Sequence, residues 1–100
     1  MKDLMESLDK TFDNRIRLGI MAVLVVNDAV EFNTLKELMN VTDGNLASHL
    51  KGLEAASYIS VLKSFVGRKP MTRYKITKQG RKAFETHINA IEKLIRYKSS

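Results

Sequence analysis

Two clusters in this 100-residue chain combine residue types and spacing suited to chemistry. The first is Thr42-Asp43-Gly44-Asn45, followed by Ser48, His49 and Lys51; the second is Gly67-Arg68-Lys69-Pro70, with Arg73 beyond it. Their chemistry is recognition: Asn and Ser donate and accept hydrogen bonds, while Lys and Arg seek anionic oxygen. Groupings that carry catalysis are missing from the sequence. It holds no Ser-His-Asp arrangement, HExxH pair, P-loop or dinucleotide fingerprint, and its two histidines, His49 and His87, fall on different predicted elements. The absence of cysteine removes disulfides, thiolate metal sites and cysteine nucleophiles. Catalytic residues, metal ligands and cofactors are therefore not expected.

Charge is distributed unevenly about a formal net value of +6. Residues 1–57 carry six Lys/Arg against nine Asp/Glu, whereas residues 58–100 carry eleven against two. Such a basic half is the footprint of a polyanion, either nucleic acid or an acidic membrane surface. The longest apolar run, Ile20 to Val26, is far shorter than the roughly 20 residues of a membrane span, and Met1-Lys2-Asp3 does not lead into a secretory segment. A cytoplasmic protein with no membrane partner is expected.

The elements that must position these clusters follow from periodicity. One domain over 1–100 is expected, since the only proline is Pro70 and no linker or repeat interrupts the chain. Residues 1–27 read as N-terminal helices: Leu4, Met5, Leu8 and Phe12 recur at helical spacing, then Ile16, Ile20, Val23 and Leu24, with Asp13 or Asn14 as cap. Residues 33–56 read as two helices joined by a tight turn at Asn40-Val41. Asn33 is the expected cap of the first, with Leu35 and Leu38 inward, and Thr42 that of the second, whose core stripe is Leu46, Leu50 and Leu53. Residues 58–76 read as a β-hairpin with a basic tip. Residues 77–98 read as a last helix, capped by Thr77, with Phe84, Ile88, Ile91 and Ile95 at coiled-coil spacing.

A helix pair followed by a hairpin makes a mainly α fold with a small β wing, the winged helix-turn-helix, whose second helix suits the major groove of double-stranded DNA. Opposite the leucines of that helix lie Gly44, Ser48, Lys51 and Ala55, with Asn45 and Gly52 beside them. The two glycines suggest a face that must approach a partner closely. Asn45 and Ser48 are suited to base edges, Lys51 and Thr42 to phosphate, and Arg68, Lys69 and Arg73 to the backbone or minor groove. His49 sits at the border of the core face. Leu4, Leu8 and Phe12 together with Phe84, Ile88, Ile91 and Ile95 form two apolar stripes, more than one small domain covers, so a homodimer through the first and last helices is expected. A two-fold dimer implies a pseudo-palindromic site. The competing reading is a winged helix that grips an acidic protein; RNA fits less well because its major groove is deep and narrow.

In the ordered set Thr42-Asp43-Gly44-Asn45-Leu46, Ser48-His49-Leu50, Gly67-Arg68-Lys69-Pro70, Tyr74, Ile76-Thr77 and Gly80-Arg81, the chain resembles small winged-helix transcriptional regulators related to the MarR and ArsR families. The resemblance implies a homodimer, recognition-helix contacts at Asn45, Ser48 and His49, and wing contacts at Arg68 and Lys69. Two positions depart from it. Ser57 stands where similar proteins often have glycine, and Met71 where they have a small polar residue.

Overall fold

The computed structural model describes residues 1–98. Five helices and three strands run in the order α1 (Lys2–Glu6), a 3-10 turn (Lys10–Phe12), α2 (Arg15–Val25), β1 (Val30–Glu31), α3 (Phe32–Met39), α4 (Asp43–Ala55), β2 (Ile59–Val66), β3 (Lys69–Ile76) and α5 (Lys78–Ile95). The antiparallel sheet has the order β1-β3-β2. This is the winged helix-turn-helix architecture.

Local side-chain chemistry sets most of the boundaries. Asn14 caps α2, accepting from the N–H groups of Ile16 at 2.8 Å and Arg17 at 3.2 Å; these are donors the helix cannot satisfy internally. Asp9 does the same for Thr11 at 2.9 Å, and this cap divides the single Leu4–Phe12 pattern into α1 and the 3-10 turn. The start of α3 is also displaced from expectation. Glu31, paired with Arg73 at the end of β1, occupies the cap position, and Asn33 lies inside the helix. Asn40 closes α3 in the left-handed region at φ 52°, which asparagine tolerates.

The transition from α4 to β2 is a Schellman motif. Tyr58 N–H donates to the Leu53 carbonyl at 3.0 Å and Ser57 N–H to that of Glu54 at 2.9 Å, so the last carbonyls of α4 are satisfied. Ser57 holds φ 64°, where glycine is the unstrained choice. The hairpin closes over only Gly67 and Arg68, because Val66 faces Lys69. Gly67 has φ 64° and Arg68 does not share the positive φ, the pattern of a type II′ turn that matches strand twist.

The core gathers one face of every main element. Ile20, Met21 and Leu24 of α2, Leu35 of α3 and Leu46, Leu50 and Leu53 of α4 pack over Ile59, Tyr74 and Ile76 of the sheet. Phe12 and Phe84 complete it, with ring centroids 5.7 Å apart edge to face. Both phenylalanines are therefore taken out of the surface stripes in which the sequence places them. Leu38 departs the other way: it is 59% exposed.

On α5 the buried face is Gly80, Phe84, His87 and Ala90. Ile88, Ile91 and Ile95 turn away from it and are exposed. The stripe is real, but its first member points into the domain. His87 accepts the backbone N–H of Asp9 on Nδ1 at 2.9 Å and packs edgewise on Phe12. Tyr58 donates its hydroxyl to the Asp9 carboxylate, and α1 packs against α5. These contacts join the N-terminal segment, the start of the wing and the last helix.

Candidate nucleic-acid interface

Helix α4 is held by Leu46, Leu50 and Leu53, which are at most 2% exposed. That anchoring fixes what faces outward. Asp43, Gly44, Asn45, Ser48, Lys51 and Ala55 are all exposed, and space around Gly44 is open. Thr42 accepts from Asn45 N–H at 3.2 Å; its hydroxyl acts as the helix cap while the residue stays at the surface. Asp43 pairs with Lys36 of α3 at 2.8 Å. Both partners are solvated, so this pair contributes little stability, about 1 kcal/mol or less. It does offset the one acidic charge at the tip of α4.

The flanks of α4 differ. Toward the wing, a cleft of about 310 Å³ lies between Ala47, Lys51 and Glu54 of α4 and Val61, Lys63, Thr72 and Tyr74 of the hairpin. Tyr74 forms part of its wall, and burial, then the charge of Glu54, raises its phenol above the usual value. Lys63 thus faces the same cleft as Lys51, a relationship created by the hairpin register and absent from any local motif. On the other flank Arg17 of α2 crosses over Gly52, and its Nε donates to His49 Nδ1 at 3.2 Å. Burial and then the Arg17 charge lower the His49 pKa, which keeps it a neutral acceptor. Gly52 accordingly serves a contact inside the protein, and of the two helix glycines only Gly44 has open space beside it.

At the wing tip Arg68 and Lys69 are exposed beside exposed Phe65, Val66 and Pro70. Arg73 is elsewhere. It pairs with Leu62 and Glu31 at the root of the sheet, and strand alternation puts it on the face opposite Tyr74. Its Nε is buried without a hydrogen-bond partner. Thr42, Asn45, Ser48 and Lys51 therefore share the exposed face of α4, which the hairpin borders across the cleft at Lys63 and Thr72; His49 lies on the flank, and Arg73 is separate from them.

Among the described residues no group of three His, Asp or Glu is placed to hold a metal ion. No helix among them is long and apolar enough to cross a membrane.

A family model described as a winged helix DNA-binding domain matches residues 16–95. The chain belongs to that family. The match runs from the first turn of α2 to the end of α5, so it includes both the helix pair and the wing. This winged helix is 42% identical over 85 residues to an uncharacterized protein of Methanocaldococcus jannaschii, covering 85% of this chain and 92% of that one. Its fold is similar to that of a transcriptional regulator homologue from Pyrococcus horikoshii OT3, with a TM-score of 0.87 at 28% identity and 96% of each chain covered. It is also similar in fold to MepR of S. aureus, solved as a DNA complex: TM-score 0.76, 15% identity, 96% of this chain and 79% of that one. The resemblance to winged-helix regulators read from the motifs agrees with these matches.

Proposed function

We propose that this winged helix is a transcriptional regulator that binds double-stranded DNA as a homodimer. The observation that carries the proposal is the surface of α4. Gly44, Asn45, Ser48 and Lys51 stand exposed opposite three buried leucines, with Lys63 of the wing across the cleft from Lys51 and the basic wing tip exposed beyond it. A small polar helix face fits the major groove, Asn45 and Ser48 addressing base edges and Lys51 a phosphate. Thr42 and the first-turn N–H groups receive backbone phosphate at the helix N-terminus. Arg68 and Lys69 reach the neighbouring backbone or minor groove. Support also comes from the MepR neighbour, which was solved bound to DNA.

The dimer reading rests on Ile88, Ile91 and Ile95, exposed along α5, with Leu4 and Leu8 half-buried near the same helix. Pairing two copies there covers apolar surface that the domain leaves open. Two-fold symmetry then sets two copies of α4 about 34 Å apart in successive major grooves of a pseudo-palindromic site. Occupancy blocks or recruits polymerase.

Sequencing of duplexes selected by the purified protein tests site and spacing together; the expected product is an inverted repeat. Arg68→Ala weakens binding to all duplexes alike, while Asn45→Ala reduces discrimination at one base position by about 1–3 kcal/mol. Selection that returns no enriched sequence, with a flat response to salt, rejects the proposal.

A further inference from the structure

Arg17 is set against α4 by two independent features. Its Nε is engaged by His49, and its guanidinium fills the volume a side chain at position 52 would occupy: a Cβ on Gly52 would lie 2.7 Å from its Cζ. At about 100° per residue, Asn45, His49 and Gly52 follow one another along a single flank of the helix, next to the face that bears Ser48. Only one of the five guanidinium hydrogens is used by His49, and the four on the terminal nitrogens remain. Among the described residues no carboxylate forms an ion pair with Arg17.

We propose that Arg17 grips a backbone phosphate of DNA on the flank of α4 away from the wing, with His49 as the residue that positions it. This rests on the DNA-binding reading above. A guanidinium presents a planar fork matched to phosphate oxygens, and one whose Nε is already fixed loses less conformational freedom on binding. Neutral His49 is the acceptor this requires, and the missing side chain at Gly52 is the space it requires. With Lys51 and Lys63 in the cleft on the opposite flank, α4 carries cations on both sides, as a helix lying between two sugar-phosphate strands needs.

The test is a salt series of fluorescence anisotropy titrations with a labelled duplex of mixed sequence. Arg17→Gln lowers the slope of log affinity against log salt by about one per protomer and weakens binding roughly tenfold at moderate salt. A brace that merely joins α2 to α4 would change thermal stability and leave the slope alone. Gly52→Ala is the second variant: it keeps every charge, replaces glycine by a better helix former, and displaces the guanidinium with a methyl group. It weakens binding several-fold without lowering the melting temperature, and it carries the test if Arg17→Gln does not fold. His49→Gln, which retains an acceptor oxygen, binds more tightly than His49→Leu. Wild-type slope and affinity in folded Arg17→Gln, or in Gly52→Ala should the first variant unfold, overturn the inference. If Arg68→Ala still reduces the slope in that case, the DNA reading stands and only the role of Arg17 falls. A wild-type protein without salt-dependent duplex binding rejects both.

Discussion

The hydroxyl of Thr77 donates to the Ser57 carbonyl at 2.7 Å while accepting the Gly80 N–H at 2.9 Å. One side chain thus caps α5 and fastens it to the end of α4, and Thr77 N–H adds a bond to the Tyr58 carbonyl at 3.0 Å. Thr77→Ala is expected to lower stability by about 1–2 kcal/mol, measured by urea unfolding. Gly80→Ala costs more, about 3 kcal/mol, since its methyl would collide with the backbone carbonyl of Tyr58.

Ser57 offers a gain in place of a loss. It occupies the left-handed C′ position of a complete Schellman motif, where a side chain costs energy that glycine does not. Ser57→Gly should stabilise the domain by about 0.5–1 kcal/mol and raise its melting temperature by about 4–8 °C per kcal/mol. An unchanged or lower melting temperature would show that Ser57 carries no strain.

Tyr58 and Asp9 predict the alkaline limit of the fold. The bond to Asp9, then burial, raises the Tyr58 phenol from 10.0 to about 12. A raised acid favours its neutral form, so its contribution is complete below pH 10.0 and is lost as pH climbs through about 12. For Asp9 burial acts upward, but bonds from Tyr58 and Thr11 outweigh it and hold the carboxyl below 3.8. That contribution exists above pH 3.8 and is lost as pH falls further. Tyr58→Phe should cost about 1–2 kcal/mol at neutral pH and remove most of the alkaline loss, as read from melts across the range.

His49 sets a second pH window. Its pKa lies below 6.5 through burial and the nearby Arg17, so the folded protein resists a proton that the unfolded chain accepts. The stability this represents is full above pH 6.5 and declines as pH falls through the lowered value. Unfolding measured at about pH 7.5 and about pH 5.5 should show a larger acid loss in wild type than in His49→Leu. Equal losses would assign the sensitivity to other groups.

Ile91 tests assembly. It is 36% exposed at the middle of the Ile88–Ile95 stripe, where a charge opposes an apolar contact between copies. Ile91→Glu should sediment as a monomer with an unchanged circular dichroism spectrum, whereas a retained dimer places the interface elsewhere.

The helix-turn-helix and wing were legible because each rests on local chemistry: Thr42 and Thr77 cap the helices they were expected to cap, and the Leu46, Leu50 and Leu53 spacing identified the inner face of α4. What escaped depends on contacts between distant segments. Asn33 lost its cap role because β1 extends to Glu31 by pairing with β3. Phe84 lies on the border between the core face and the isoleucine stripe, and a period of three and four residues cannot assign a border position. Arg17 beside Gly52 had no sequence signal beyond the glycine itself, and Lys63 entered the cleft through strand register.

The β1 strand pairs with β3 only at Arg73 and Tyr74. From Thr72 to the tip the wing is a two-stranded ribbon with no third strand, and none of its residues belongs to the buried core. Contact chemistry at the tip is thereby uncoupled from folding energetics. Gly67 must stay for the turn, but exposed Phe65, Val66, Arg68, Lys69 and Pro70 can change without disturbing the core, which makes the ribbon a cartridge: one tip sequence can be exchanged for another while the helices beneath it stay as they are.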